Sequence, residues 1–364
     1  MHSDGREGGL AHRLTPHRPS RRAWAIIAAS AALIVALIVA LVMWLPVTPA
    51  DPPAAAPTSS PPVTPEPEPS EAPNAPQALV QLACDDLVSP ADVAAVLAVG
   101  VAAQSSSPVR DGRDALLRQA GMSRCEWSAG DRELTAIVAL DPELFDFAQQ
   151  DARESTVDGH RVSELCSISE DAVCRLDLAS GDVYVSLALR GTDVAELQAA
   201  LRGLVPSIAR AVTAAPVSTS EWTPPQTSLT SDAVRSVDPG VLGAAFGLVG
   251  ARVWGGEAGA ITFRALTTTD SAEFRIGDDT RRHLDLLVVA GGAWAVDELL
   301  GSGYTSINVD GVDQAAIAPA LDPLSGGLVA CMDVDRSLVC VTTDETDAVR
   351  LAAELATFAR ALLA

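Results

Sequence analysis

Histidine and carboxylate side chains are the residues of this chain that could carry out acid–base or nucleophilic chemistry. His160 and His283 are the only imidazoles after residue 45, and the chain has no Gly-x-Ser-x-Gly nucleophile elbow. Asp141 and Glu143 could serve a glycoside hydrolase only if two carboxylates faced each other across a cleft. An Asp-Pro-Glu run is more typical of a helix N-terminus, where carboxylates favour the helix dipole. We therefore predict no catalytic residue and a protein that is not an enzyme.

Ligands for metals and cofactors are equally sparse. Asp333 and Asp335 could contribute to a calcium site, but the EF-hand spacing is absent and the pair is more typical of a hairpin turn. Zinc competes with disulfides for the cysteines, although no Cys-x-x-Cys pair occurs. The glycine-rich stretch 255–259 lacks any phosphate-loop pattern. We predict no metal and no cofactor.

Trp127 and Trp254 are the residues that could stack on a sugar ring. They occupy matching positions in the two halves of the chain, each ahead of a predicted strand. Matched positions favour packing in a core, so ligand stacking is the second interpretation.

Six cysteines, all after residue 45, predict disulfide bonds and an oxidising compartment. Sequence alone leaves 15 possible pairings for six cysteines. Two short loops with turn-like interiors favour local pairs, for which the chain-entropy model gives about 2.5 kcal/mol each, against about 4 kcal/mol for the remaining long loop. The favoured pairs are Cys84–Cys125, Cys166–Cys174 and Cys331–Cys340.

Residues 23–45 form an uncharged apolar stretch that predicts a transmembrane helix. At about 1.5 Å per residue, the stretch reaches roughly 35 Å, enough to cross a bilayer core. Arginines dominate the charges of residues 1–22, which favours a cytoplasmic N-terminus and places everything after residue 45 outside the cell. A cleaved signal peptide is the alternative, but the run is long and ends in bulky residues.

The segment 46–80 contains 12 prolines, a composition that predicts a disordered spacer. The whole chain has a formal net charge of −22, which would repel a phosphate polymer. We therefore predict no binding of nucleic acid.

After the spacer, two α+β domains are predicted at 81–213 and 229–364, joined by a linker at 214–228. Each is expected to form a short antiparallel sheet with one solvent-exposed face, covered on the other by an N-terminal and a C-terminal helix. The apolar run within 280–300 fits either a helix or a buried strand.

A weak internal repeat supports the two-domain prediction. In both halves, a capped helix with proline at its first position is followed by a tryptophan and a strand, then by a Val-Asp-Gly turn, a cysteine strand and a final amphipathic helix. The landmarks are Ser89-Pro90 and Asp238-Pro239; Trp127 with a strand at 134–140 and Trp254 with one at 260–266; Val157-Asp158-Gly159 and Val309-Asp310-Gly311; Cys174 and Cys331; Asp193 and Asp347.

Part of this pattern resembles small extracytoplasmic domains of actinobacterial envelope lipoproteins and of receptor-kinase sensor ectodomains. The resemblance covers 81–213, and the second half lacks counterparts of Cys84 and Cys125. It implies an envelope-facing binding or scaffolding domain and transfers no catalytic residue. The matching residues are Cys84-Asp85-Asp86-Leu87-Val88-Ser89-Pro90-Ala91-Asp92-Val93, Arg124-Cys125-Glu126-Trp127 and Cys174 with the closing helix.

These observations predict a single-pass envelope protein with tandem extracytoplasmic domains that bind or sense a ligand. The expected partners are the membrane, through 23–45, and an envelope protein or a cell-wall ligand. A passive structural component of the envelope is the alternative. A carboxylate-dependent cell-wall hydrolase is the third interpretation.

Overall fold

The computed structural model describes residues 75–98, 109–147, 152–167, 172–219, 222–254, 260–278, 282–320 and 327–364. The predicted cytoplasmic tail, the predicted membrane span at 23–45 and most of the predicted spacer lie outside these residues. Among the described helices, none combines the length and the hydropathy that a bilayer span requires.

A six-stranded antiparallel sheet organises the first half of the chain. Its strand order is β1-β2-β6-β5-β4-β3, and every neighbouring pair is antiparallel. The elements in chain order are α1 Cys84–Leu87, α2 Pro90–Val96, α3 Gly112–Gln119, β1 Ser123–Ala129, β2 Arg132–Ala139, α4 Glu143–Phe147, β3 Arg153–Val157, β4 His160–Ser167, β5 Ala172–Ser180, β6 Val183–Gly191 and α5 Val194–Ala214.

Helix α5 covers the outer face of this first sheet. It begins at Asp193, whose carboxylate accepts hydrogen bonds from the backbone N–H groups of Ala195 and Glu196. Its apolar residues recur at helical spacing and are buried against alternate residues of β5 and β6, which forms the first core. The stripe consists of Leu197, Leu201, Leu204, Ile208 and Val212.

A seven-stranded antiparallel sheet organises the second half, in the order β10-β11-β12-β13-β9-β8-β7. The last helix begins at the N-cap Asp347 and buries Leu351, Leu355 and Phe358 in the second core. The elements are α6 Ser231–Ser236, α7 Pro239–Ala244, β7 Arg252–Trp254, α8 Ala260–Thr268, β8 Ala272–Gly277, β9 His283–Val289, α9 Ala295–Gly301, β10 Thr305–Ser306, β11 Ala315–Pro319, β12 Leu328–Val334, β13 Ser337–Thr343 and α10 Ala348–Leu362.

A third core joins the inner faces of the two sheets. Tyr184 of β6 and Leu338 of β13 both belong to it, together with apolar residues of α3, α8 and α9. The expectation that each sheet keeps one solvent-exposed face is therefore wrong. Alternating residues distinguish the two faces of a strand, but they do not show that short helices will cover the second face of the sheet. Both sheets lie in a single compact unit.

At one segment the structure differs from the prediction, and at another it decides between two predicted alternatives. The stretch 260–266, predicted as a strand, lies in helix α8 because tertiary packing overrides the strand propensity of its Ile, Thr and Phe residues. The open segment 280–300 contains the buried strand β9, a turn and the helix α9. Gly291 makes this turn with φ of 71°, and a side chain there would meet Pro224 and Pro225.

The chain just before α6 lies against the second sheet. Ser228 donates its backbone N–H to Asp335 (2.6 Å), and the hydroxyl of Thr227 lies 2.8 Å from that of Ser337. These contacts fix the second part of the predicted linker 214–228 at the turn between β12 and β13.

Candidate functional site

A groove in the first half lies beside the edge strand β1. We call it the N-terminal groove; its volume is about 500 Å³. One wall is the chain leading into α1, and the others come from α3 and the start of β1. Its lining residues are Gln77, Ala78, Val80, Gln81, Leu82, Ala83, Cys84, Val109, Asp114, Arg118, Met122, Ser123, Arg124 and Cys125.

Five charged side chains form a network where the start of α3 meets β1, and we call them the α3 charge cluster: Arg110, Asp111, Asp114, Arg124 and Glu126. Of these, Asp114 and Arg124 line the groove. Arg110 and Glu126 form a two-pronged ion pair with N–O distances of 2.8 and 2.7 Å. Arg124 donates to Asp114 (3.0 Å) and to Glu126 (2.9 Å). Paired guanidinium and carboxylate groups of this kind hold one another in a fixed geometry.

Local sequence explains why these groups converge. Asp111 is the N-cap of α3 and accepts the backbone N–H of Asp114, so both carboxylates lie on the first turn. Arg124 and Glu126 are two residues apart on β1 and therefore point to the same face of the first sheet. The contact of α3 with β1 brings the two sets together.

The cluster holds carboxylates with opposite pKa shifts. Burial and then the Asp111 carboxylate raise the pKa of Asp114 to about 6, despite the opposing effects of Arg124 and Arg110. The hydrogen bond from Arg110 is the main cause of a lowered pKa at Glu126. The cluster therefore changes its charge near neutral pH, through Asp114.

A second opening lies on the other side of α3, against the second sheet. We call it the interface cleft; its volume is about 270 Å³. At Gly112 the helix approaches the second sheet so closely that a Cβ would lie 2.7 Å from Sγ of Cys340. The lining residues are Asp111, Gly112, Arg113, Glu273, Asp285, Leu286, Leu287, Tyr304, Ala320, Val329, Cys340 and Thr342.

The structure joins the cysteines as Cys84–Cys125, Cys166–Cys174 and Cys331–Cys340. This is the pairing favoured from the sequence. Cys84–Cys125 ties α1 to β1 at the N-terminal groove. Each of the other two bridges joins directly opposed residues of neighbouring strands.

The predicted stacking residues lie on two different strands. Trp127 lies within β1 and is buried in the first core, which agrees with the packing interpretation. Trp254 is the last residue of β7. Two tryptophans that the sequence did not single out lie near the groove: Trp222 and Trp294 are in edge-to-face contact at 6.4 Å. Arg118 lines the groove and stacks over Trp294.

The remaining candidate residues occupy separate places. His160 begins β4 and His283 begins β9. Asp141 accepts the backbone N–H of Glu143 at the start of α4, as expected for a helix N-terminus.

Asp333 is the penultimate residue of β12, and Asp335 lies in the turn to β13, as the hairpin interpretation predicted. Across the described ranges, no three His, Cys, Asp or Glu side chains are grouped so that they could hold a metal ion.

Sequence reasoning missed the groove because its walls come from segments about 40 residues apart. The signals that could have pointed to it are the Asp-x-x-Asp spacing of Asp111 and Asp114 and the Arg-x-Glu spacing of Arg124 and Glu126. Scans against protein-family models, curated proteins and solved structures found no match to this chain.

Proposed function

We propose that this chain is a non-catalytic envelope protein that binds a cell-wall or envelope ligand in its N-terminal groove. The observation that carries the proposal is the groove itself, whose lining includes Asp114 and Arg124, two partly buried members of the α3 charge cluster. Its volume of about 500 Å³ falls within the range of ligand sites, roughly 300–1,000 Å³.

The groove is organised before a ligand arrives. The Cys84–Cys125 bridge fixes one wall to β1, and the ion pairs of Arg110 and Arg124 fix the charged groups. A rigid site loses less conformational entropy on binding than a flexible one. The exposed amide of Gln81 and the half-buried Trp294 beyond Arg118 add polar and aromatic contacts at its margin.

The compartment follows from the cysteines. Three disulfides favour a domain that lies outside the cytoplasm, in an oxidising environment. We propose in addition that 23–45 anchors the chain as a single-pass helix with a cytoplasmic N-terminus, and that 46–80 is the spacer between membrane and folded part. The arginine-rich residues 1–22 and the uncharged run support this topology.

We further infer that the two halves descend from one module, at about 81–213 and 229–364. In both, an N-terminal helix capped by Ser89 or Asp238 is followed by a second helix (α3 or α8), two strands, a short helix, four strands and a long helix capped by Asp193 or Asp347; the second half adds the strand β7 before α8. This common order supports the repeat. A module duplicated in this way is suited to tandem binding or sensing.

Photo-crosslinking in cells tests the proposal. A photoreactive amino acid replaces Gln81 at the groove, and in a matched control it replaces Ala199, which is exposed on α5. We expect a covalent adduct with an envelope component from position 81 alone, and loss of that adduct when Arg124→Met is added. Equal labelling at both positions, or none at 81, would instead favour a passive structural role in the envelope.

A further inference from the structure

Contacts from the second half hold the walls of the N-terminal groove. Arg118 lines the groove, and its Nε donates to the carbonyl oxygen of Pro76 at 2.9 Å. Its Nη1 pairs with Glu298 of α9 at 2.6 Å, and its guanidinium lies over the ring of Trp294, 5.4 Å from the centroid. Arg118 therefore connects the start of the wall that leads into α1 with helix α9 of the other half.

Two further contacts connect the flanks of α9 to the first half. The indole N–H of Trp294 donates to Oε1 of Gln119 at 3.3 Å, and the amide of Gln119 donates to the carbonyl oxygen of Ala290 at 2.5 Å. The hydroxyl of Ser302, just after α9, lies 2.6 Å from the carbonyl oxygen of Val109, the shorter of its two acceptor contacts. Val109 lines the groove at the approach to α3. Both walls are therefore bonded to the second half.

A reciprocal contact joins α8 of the second half to α4 of the first. Arg264 of α8 pairs with Asp141 at 2.6 Å and with Glu143 at 3.4 Å. Each half thus offers an arginine from one helix to the short helix of the other, as in a two-fold contact between related units. The two contacts differ in what they hold. Within the described chain, the guanidinium of Arg264 bonds carboxylates alone, whereas that of Arg118 also holds a backbone carbonyl.

The two halves also differ in the disulfide that closes the groove. Cys84–Cys125 ties α1 to β1, whereas the two cysteines of the second half, Cys331 and Cys340, are joined to each other. The second half therefore has no counterpart of the first bridge. The chain before α6 packs instead on the turn at Asp335.

From these contacts we infer that α9 and its flanks are a positioning element of the N-terminal groove, with Glu298 and Ser302 as positioning residues. The second half thus contributes to the site of the first, because it fixes the two walls of the groove. Without these contacts a ligand has to order the walls itself, which weakens its binding. The consequence for binding rests on the function proposed for the groove, whereas the positioning of the walls does not.

A double variant of the full chain removes both polar contacts of this element. Glu298→Gln removes the charge that pairs with Arg118, and Ser302→Ala removes the hydroxyl that bonds Val109. Arg264→Met is the matched control, because it breaks the reciprocal ion pair, which holds no residue of the groove lining. Hydrogen exchange without any ligand compares both variants with the wild type.

Two backbone amides report on the two walls: that of Gln81 donates to Pro216 at 2.9 Å, and that of Arg110 donates to Asp114 at 3.1 Å. In the double variant we expect both to exchange about fivefold faster, with unchanged exchange in α5 and α10, because the walls open locally. Arg264→Met should leave both amides at wild-type rates. Wild-type rates in the double variant, or equal acceleration in the control, would overturn the inference.

Photo-crosslinking from position 81 tests the consequence for binding. We expect the adduct yield to fall about tenfold when Glu298→Gln and Ser302→Ala are added and to stay unchanged with Arg264→Met. An undiminished adduct in the double variant would contradict the positioning role. No adduct in the parent protein would count against the function proposed for the groove, while the exchange rates would still decide the positioning of its walls.

Ser302→Ala alone is the test if the double variant does not fold. The single variant should accelerate exchange at Arg110 but not at Gln81, because only the contact with Val109 is lost. A wild-type rate at Arg110 in this variant would overturn the inference.

Discussion

The two sides of α3 differ in how their polar groups are satisfied. Towards the N-terminal groove, Arg110 and Arg124 are paired with carboxylates, although the Nε of Arg110 makes no hydrogen bond. Towards the interface cleft, Tyr304 keeps a buried hydroxyl without a partner in the described chain. The first side is therefore held by several ion pairs, whereas the second is held by apolar packing around an unpaired hydroxyl. One short helix thus borders two openings of different character.

The largest effect should come from breaking the network on the groove side. Arg124→Met removes the cation that lies between Asp114 and Glu126 and leaves partly buried carboxylates in excess. We expect a loss of about 3 kcal/mol in the free energy of unfolding, measured by chemical denaturation. Arg275→Met is the matched control: its partner Asp285 and the arginine itself are half-exposed, so the loss should stay below about 1 kcal/mol. Equal losses would show that the network is no more than a surface pair.

The pH dependence of stability should also come from the groove side. The folded-state pKa of Asp114, about 6, lies above its ordinary value of 3.8, so its contribution is fully present below pH 4 and is lost as the pH rises through 6. Relative to Asp114→Asn, the free energy of unfolding of the wild type should fall by on the order of 3 kcal/mol between pH 4 and pH 7.

In the same experiment, comparison with Glu126→Gln should show a change of stability with pH in the opposite direction. The pKa of Glu126 is lowered, so its contribution is present above the unfolded-state value and is lost as the pH falls. Relative to this variant, the wild type should gain stability with rising pH. Parallel profiles for wild type and both variants would contradict the assignment of the two shifts.

Close packing at the interface should show the next largest effect. Gly112→Ala places a Cβ 2.7 Å from Sγ of Cys340 and 3.0 Å from Leu287, inside a packed core. We expect a loss of about 2 kcal/mol in unfolding free energy. Gly203→Ala on α5 has open space around its Cβ and should stabilise the protein by about 0.5–1 kcal/mol. Changes of the same sign in the unfolding free energy of the two variants would argue against the close approach of α3 to the second sheet.

The smallest difference should be that between the tyrosines in the absence of ligand. Tyr184→Phe leaves the buried Asp177 without its 2.8 Å hydrogen bond and should cost about 1.5 kcal/mol. Tyr304→Phe loses no hydrogen bond and should stay within about 0.5 kcal/mol of the wild type. Thermal unfolding of both variants measures the difference, and a large loss of stability in Tyr304→Phe would mean that its hydroxyl is already satisfied.

Local features could be predicted from the sequence because short-range chemistry determines them. The helix starts at Ser89, Asp193, Asp238 and Asp347 follow from side-chain capping. The disulfide pairing follows from loop length, and the strand predicted at 134–140 corresponds to β2. The prediction at 260–266 was wrong because β-branched residues in α8 gain more from packing against α3 and the third core than from strand formation.

The sites could not be predicted because they depend on contacts between distant segments. The N-terminal groove requires the pairing of Leu79 with Gly121 and of Gln81 with Pro216, which no periodicity records. The interface cleft requires Gly112 of the first half to touch Cys340 of the second. The shared third core was missed for the same reason, and with it the burial of Tyr184 and Tyr304.

Hydrogen exchange of the full chain, with and without soluble cell-wall fragments and solubilised envelope components, tests most directly that the N-terminal groove is the binding site. The account predicts slower exchange in the backbone amides of residues 77–84 and 122–125 when the ligand is present, with unchanged exchange in α10. The slowing should disappear in Arg124→Met. Unchanged exchange along both groove segments, or slowing in α10 instead, would contradict it.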